Sequence, residues 1–207
     1  MHPNPAFRYV AQDQNLKFAA ERGFGMLAIA GADGMPLLAH IPFVLDQGRV
    51  LFHLVRSNPI ARRLKEPVPA KLAIQGPHSY ISPDWYGVDD QVPTWNYVSV
   101  HLEGQAELLP QDQLRDILDR LSDRFEHVLS PKPVWKTAKM PSELLDRMMR
   151  QIVPCALSIE DVQGTWKLAQ NKPDAARQGA AEGVAAHGIG SELQELAALM
   201  ADPPVQD

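Results

Sequence analysis

Residues 92–101 read VPTWNYVSVH. A strand over 95–103 sends successive side chains to opposite sides. Val98, Val100 and Leu102 then share one face and fit a core. Trp95, Tyr97, Ser99 and His101 share the other. A solvated strand face seldom carries Trp and Tyr together. The second face therefore suits either a subunit interface or a planar heteroaromatic ligand.

Working outward, GMLAIA (25–30) reads as a strand and GADG (31–34) as a tight turn. PLLAHIPFVLD (36–46), a turn at Gln47-Gly48 and RVLFHLVR (49–56) predict a hairpin. PAKLAIQGP (69–77) predicts a further strand, followed by a loop. GQAELL (104–109) continues the strand of 95–103 past a glycine, and VPCALSIEDVQG (153–164) is the last strand. Six or so short, mostly antiparallel strands argue for a closed barrel rather than a doubly wound sheet. The fold class is mainly β, with helices outside the barrel. A helix capped by Asp13 runs through Arg22, with Leu16 and Ala20 on one face. In SNPIARRLKE (57–66), Asn58 is the N-cap and Pro59 takes the first helical position, where its missing donor costs nothing. The clearest helix covers 112–129, with Leu114, Ile117, Leu118, Leu121, Phe125, Val128 and Leu129 at helical spacing. A second spans 142–151, and the Ala- and Gly-rich tail carries one at 191–201.

The chain has 207 residues, 45% hydrophobic and 22% charged, which places it among ordinary globular proteins able to bury a core. Its single cysteine, Cys155, excludes an internal disulfide and any cysteine-based metal cluster. The N-terminus lacks a basic segment followed by an apolar run, and the apolar stretches are too short to span a bilayer. A cytoplasmic protein without membrane attachment is expected. A net charge of −5 is poorly suited to gripping nucleic acid. The densest basic group, Arg56, Arg62, Arg63 and Lys65, suffices for one small anion.

Within HLVRSNPIARR (53–63), Arg56 and Ser57 precede the helix start at Asn58-Pro59. Unpaired backbone N–H groups at a helix start, with an arginine fork and Arg62 or Arg63 one turn on, can form an anion site. They equally form a capped surface helix with solvated arginines. The stretch GPHSYISPDWYG (76–87) holds His78, Tyr80, Trp85 and Tyr86 in a proline-stiffened loop that faces a ligand or folds against the core or a second subunit. His40 and His53 lie diagonally on one face if the hairpin turn is Gln47-Gly48, but no HExxH or cysteine partner supports a metal there. The helix pair 112–129 and 142–151, joined through prolines, makes a poor helix-turn-helix.

Four segments in this order, HIPFVLD (40–46), HLVRSNP (53–59), GPHSYISPDWYG with VPTWNYVSVHLEG (76–104) and TWKLAQNK (165–172), resemble the PaiB-type FMN-binding negative transcriptional regulators. These are a branch of the FMN-binding split-barrel superfamily, and the resemblance covers roughly residues 1–179. It implies a six-stranded antiparallel split barrel with peripheral helices over 1–179, while the Ala-rich helical tail over 180–207 is longer than the family pattern. It also implies a homodimer with FMN at the subunit interface. On that resemblance Arg56, Ser57, Asn58 and Arg62 hold the flavin phosphate. Thr94, Trp95, Asn96, Lys167, Gln170 and Asn171 lie near the flavin. The chain departs from the pattern at Ala169, where family members more often have Ser. The resemblance implies a regulator with DNA as a candidate partner. An FMN-dependent oxidoreductase is the alternative, and a haem-binding split barrel ranks below both.

Overall fold

The computed structural model describes residues Met1–Pro204. Its strands are β1 (Phe24–Ala30), β2 (Pro36–Pro42), β3 (Val44–Asp46), β4 (Arg49–Val55), β5 (Val68–Ile81), β6 (Thr94–Leu108), β7 (Ile152–Lys167) and the two-residue β8 (Gly190–Ser191). They form one sheet in the order β2-β1-β5-β6-β7-β4-β3, with β8 added to β5. The pairings of β1 with β2 and β5, of β4 with β3 and β7, and of β5 with β8 are all antiparallel. The expected six strands are thus seven along the sheet, plus the short β8. The added strand arises because 36–46 is not one strand. It breaks at Phe43, whose N–H donates to Gly23 O at 2.8 Å, outside the sheet ladder.

That break also changes the partners. β2 folds back on β1 with Met26 opposite His40, whereas His53 on β4 lies opposite Pro154. Only the three residues of β3 make the hairpin with β4. His40 and His53 are therefore not a diagonal pair, and His40 instead stacks on Phe24 with ring centroids 6.2 Å apart. A second correction concerns 76–81, expected as loop. β5 runs through Gly76 and Pro77 to Ile81. The glycine is required there, since a Cβ on Gly76 would stand 2.5 Å from the Phe18 ring.

The chain divides into two compact units. One comprises Ala20–Ala73 and Leu102–Asp161. Its core holds Val44, Leu51, Ile117, Leu121 and Ala156, with Leu109 against them. Ile117 and Leu121 come from α3 (Leu114–Val128), which begins later than the expected 112 because a 3-10 turn at Gln111–Gln113 precedes it. Phe125, Val128 and Leu129, at the far end of the periodic pattern, are exposed. The short α2 (Pro59–Arg63) starts as its sequence predicts, with Asn58 Oδ1 accepting from Ile60 N at 2.8 Å. α4 (Ser142–Met149) has the expected position but buries no residue.

The other unit comprises Met1–Ala19, Ile74–His101 and the described residues from Val162 to Pro204. The first helix, α1 (Gln12–Arg22), begins at Gln12, and Asp13 Oδ1 accepts from the next residue's N–H. Its buried residues are Asn15, Phe18 and Ala19, rather than Leu16 and Ala20. After β7 come α5 (Asp174–His187), which the hydrophobic pattern did not predict, and α6 (Leu193–Ala201). Small side chains let α5 lie close to the 3-10 turn at Pro83–Tyr86. A Cβ on Gly183 would stand 2.4 Å from the Trp85 ring. Buried Arg177 of α5 donates to Met200 O at 2.6 Å and Ala201 O at 2.7 Å, capping the last carbonyls of α6. Among the described residues, no helix is long and apolar enough to cross a membrane.

Candidate functional site

Strand alternation sorts the β6 residues. Asn96, Val98, Val100 and Leu102 are buried on one side, while Trp95, Tyr97, Ser99 and His101 lie on the other. Thr94 belongs with Asn96 by parity, and Trp95 does not. On the Trp95 side, the indole is 41% exposed and forms an aromatic group with His78 and Tyr80 at centroid distances of 5.7 and 6.3 Å. Burial pushes the Tyr97 hydroxyl above its ordinary pKa.

On the Asn96 side, the end of β7 and the segment after it come alongside. Thr94, Asn96, Lys167 and Asn171 line a cavity of about 200 Å³ together with Asn4, Phe7, Tyr86 and Lys172, among others. Lys167 Nζ donates to Thr94 Oγ1, and burial holds this ammonium below the usual lysine range. Asn96 is 1% exposed. Its Nδ2 reaches Met200 Sδ at 3.6 Å, and its Oδ1 is buried with no hydrogen-bond partner. A buried amide carbonyl without a donor costs about 1–3 kcal/mol. The backbone bends into the cavity at Ala169, whose φ is 63°. The methyl group there leaves this wall without the hydroxyl that a serine would supply.

Lys167 faces the cavity because its neighbour faces the other way. Trp166 Nε1 donates to Asn15 Oδ1 at 2.8 Å, and Asn15 Nδ2 donates to Val10 O and Ala11 O at 2.9 and 3.0 Å. Gly164 permits this approach, since a Cβ there would lie 2.1 Å from Asn15 Oδ1.

The ten candidate residues therefore separate. Thr94, Asn96, Lys167 and Asn171 meet at one cavity. Trp95 is on the opposite face of its strand. Gln170 is taken up internally, accepting from Leu168 N and donating to Ala6 O and Trp166 O. In the other unit, Arg56 donates to Arg150 O at 3.0 Å, Gln111 Oε1 at 3.0 Å and Ile152 O at 3.3 Å. This guanidinium closes the carbonyl end of α4, and the Asn58 side chain caps α2. Ser57 and Arg62 are exposed. Sequence reasoning missed Asn4, Phe7 and Lys172. Only Lys172 carried a signal, as the last residue of TWKLAQNK.

Residues 1–161 match the model of the family described as "Putative FMN-binding domain". The protein "Protease synthase and sporulation protein PAI 2" of Bacillus subtilis is 30% identical over 170 residues, covering 80% of each chain. Among solved structures, the FAD and haem binding protein from Mycobacterium smegmatis is similar with a TM-score of 0.58 at 20% identity, over 88% of this chain and 81% of that one. The flavocytochrome Anf3 from Azotobacter vinelandii is similar with a TM-score of 0.53 at 16% identity, over 80% and 72%. At those identities the two structures speak for the fold. The match from Met1 to Asp161 and the Bacillus relative together show that this chain belongs to the FMN-binding family, on its PaiB-like side.

Proposed function

We propose that the protein is an FMN-binding regulator that works as a homodimer, with the pyrimidine end of the isoalloxazine in the Thr94–Asn96–Lys167 cavity. The observation that carries this reading is the buried, unpartnered Asn96 Oδ1 beside two polar donors. The pyrimidine edge of a flavin presents one N–H between two carbonyls. Asn96 Oδ1 would accept from that N–H, while Lys167 and Thr94 would donate to a flanking carbonyl. When bound, FMN supplies electron-transfer chemistry, and the protein contributes binding, orientation and electrostatics.

A volume of about 200 Å³ is below the roughly 300–1,000 Å³ of sites that enclose a whole ligand of this class. It suits one end of the ring, which supports a second copy completing the enclosure. The exposed Trp95, with His78 and Tyr80, supplies an aromatic surface fit for a subunit contact. Regulation is carried over from the PaiB-type family that the chain resembles, and the charge of −5 favours action without a broad DNA grip.

The test titrates FMN into the purified protein, following flavin fluorescence, with mass measured by light scattering. The wild type should take up FMN as a dimer. Asn96→Leu should bind at least about tenfold more weakly, equivalent to roughly 1.4 kcal/mol, with its melting temperature retained. FMN affinity unchanged in Asn96→Leu would refute the placement. A protein with no FMN uptake would refute the whole reading.

A further inference from the structure

The same cavity carries a charge imbalance that bears on which form of flavin it favours. Two ammonium groups line it, Lys167 and Lys172, and no Asp or Glu does. Lys167 Nζ is bonded to the Thr94 hydroxyl, a neutral partner. Lys172 Nζ donates to Gln91 Oε1 and stands 5.3 Å over the Tyr86 ring, again without a carboxylate. Tyr86 also lines the cavity, its hydroxyl pushed up by burial and so kept neutral, and His2, Arg8 and the N-terminus are further titratable or charged groups near Lys167. His2 feels the positive charges of Lys167, Arg8 and the N-terminus, but burial is the largest cause that keeps its imidazole below the ordinary value. The groups that bear on the cavity therefore sum to positive charge, in surroundings less polar than water.

Oxidised isoalloxazine is neutral. Uptake of two electrons and one proton leaves a ring monoanion, its charge concentrated on the pyrimidine end. A cation-lined, half-buried seat stabilises that anion more than the neutral ring, because each ammonium, bonded only to neutral groups, meets an opposite charge only in the reduced state. We propose that this protein binds reduced FMN more tightly than oxidised FMN, with Lys167 as the residue that sets the difference. The inference rests on the FMN reading above and deepens it. The cofactor's redox state becomes the signal that the site responds to, since a ligand shifts a protein only through differential affinity for two states.

The experiment uses the full chain under anaerobic conditions. Dissociation constants are measured for oxidised FMN and for FMN reduced by dithionite, and the midpoint potential of the bound flavin is read against a dye. Reduced FMN should bind at least about tenfold tighter, which by linkage raises the potential by about 30 mV over free FMN for this two-electron couple. Lys167→Met should bring the ratio close to one, and Lys167→Arg should keep it. Lys172→Met should lower it partly, giving a second variant if Lys167→Met folds poorly. Raising pH through the depressed Lys167 titration should shrink the ratio in the wild type, but not in Lys167→Arg. A wild-type ratio of one or less, or a ratio unaltered in Lys167→Met, overturns the inference while leaving FMN binding intact. No uptake of FMN in either state overturns both.

Discussion

Replacing Trp166 by Phe tests how the fold aims Lys167 into the cavity. Trp166 is 4% exposed and Asn15 2%. The indole N–H donates to Asn15 Oδ1 at 2.8 Å, and both amide hydrogens of Asn15 already serve backbone carbonyls. Phe keeps a ring against Phe18, whose centroid lies 5.3 Å from the indole edge to face, but removes the N–H that donates to Oδ1. Leaving a buried carbonyl unpaired costs about 1–3 kcal/mol. The missing part of the indole adds about 1 kcal/mol through lost burial. A total of about 2–4 kcal/mol is a large fraction of the roughly 5–15 kcal/mol that a domain possesses. At about 2–4 °C per kcal/mol for a chain of this size, the melting temperature should fall by about 4–16 °C.

The assay is thermal and urea unfolding of the apo protein, with Asn15→Ala and the double variant completing a cycle. The coupling between the two residues should be about 1 kcal/mol or more. FMN affinity should fall alongside, because Lys167 is the next residue on β7 and its direction depends on the anchored indole. A loss below about 0.5 kcal/mol, or additive effects in the cycle, would refute the view that this hydrogen bond holds the strand end in place.

Two further expectations follow from buried groups. Gly183→Ala in an ordinary helix would gain up to about 1 kcal/mol, but its Cβ would stand 2.4 Å from Trp85. The sign should therefore reverse to a loss of about 1–3 kcal/mol in urea unfolding, and a stabilised variant would contradict the packing of α5. The Cys155 thiol is buried and pushed up to about 12 by that burial, so it should resist alkylation at pH 8.5 until the protein is unfolded. Because the folded value exceeds the unfolded one, its contribution to stability is complete below about pH 9 and is lost as pH rises toward 12.

The elements read most directly from sequence are those in which side-chain chemistry and local backbone demand coincide. Asn58-Pro59 starts α2 as expected because an amide cap and a proline at the first helical position satisfy the same end. The valines of β6 are buried in strict alternation. α5 went unpredicted because its buried face is made of Ala176, Ala180, Ala181 and Val184 with a charged Arg177 among them, which produces no hydrophobic period. β5 was expected to end near Gly76-Pro77, since both residues normally weaken a strand. Here the glycine is needed to admit Phe18.

The site divides along the same line. Thr94 and Asn96 were named with Trp95, although a strand cannot present all three to one ligand surface. Only their pairing with Lys167, seventy-odd positions along the chain, shows which parity belongs to the cavity. Residue type had suggested Arg56 as an anion ligand, and type alone cannot reveal that its Nε and Nη2 donate to carbonyls of Arg150 and Ile152. The reverse holds for Asn96. Its chemistry is unremarkable in sequence, yet its carbonyl is buried without a partner, and on that atom the proposed flavin seat rests. A motif supplies donors and acceptors, but only the fold decides which of them are left unanswered. Around this cavity, among the described residues, it leaves one amide carbonyl without a donor and two ammonium groups bonded to neutral partners alone.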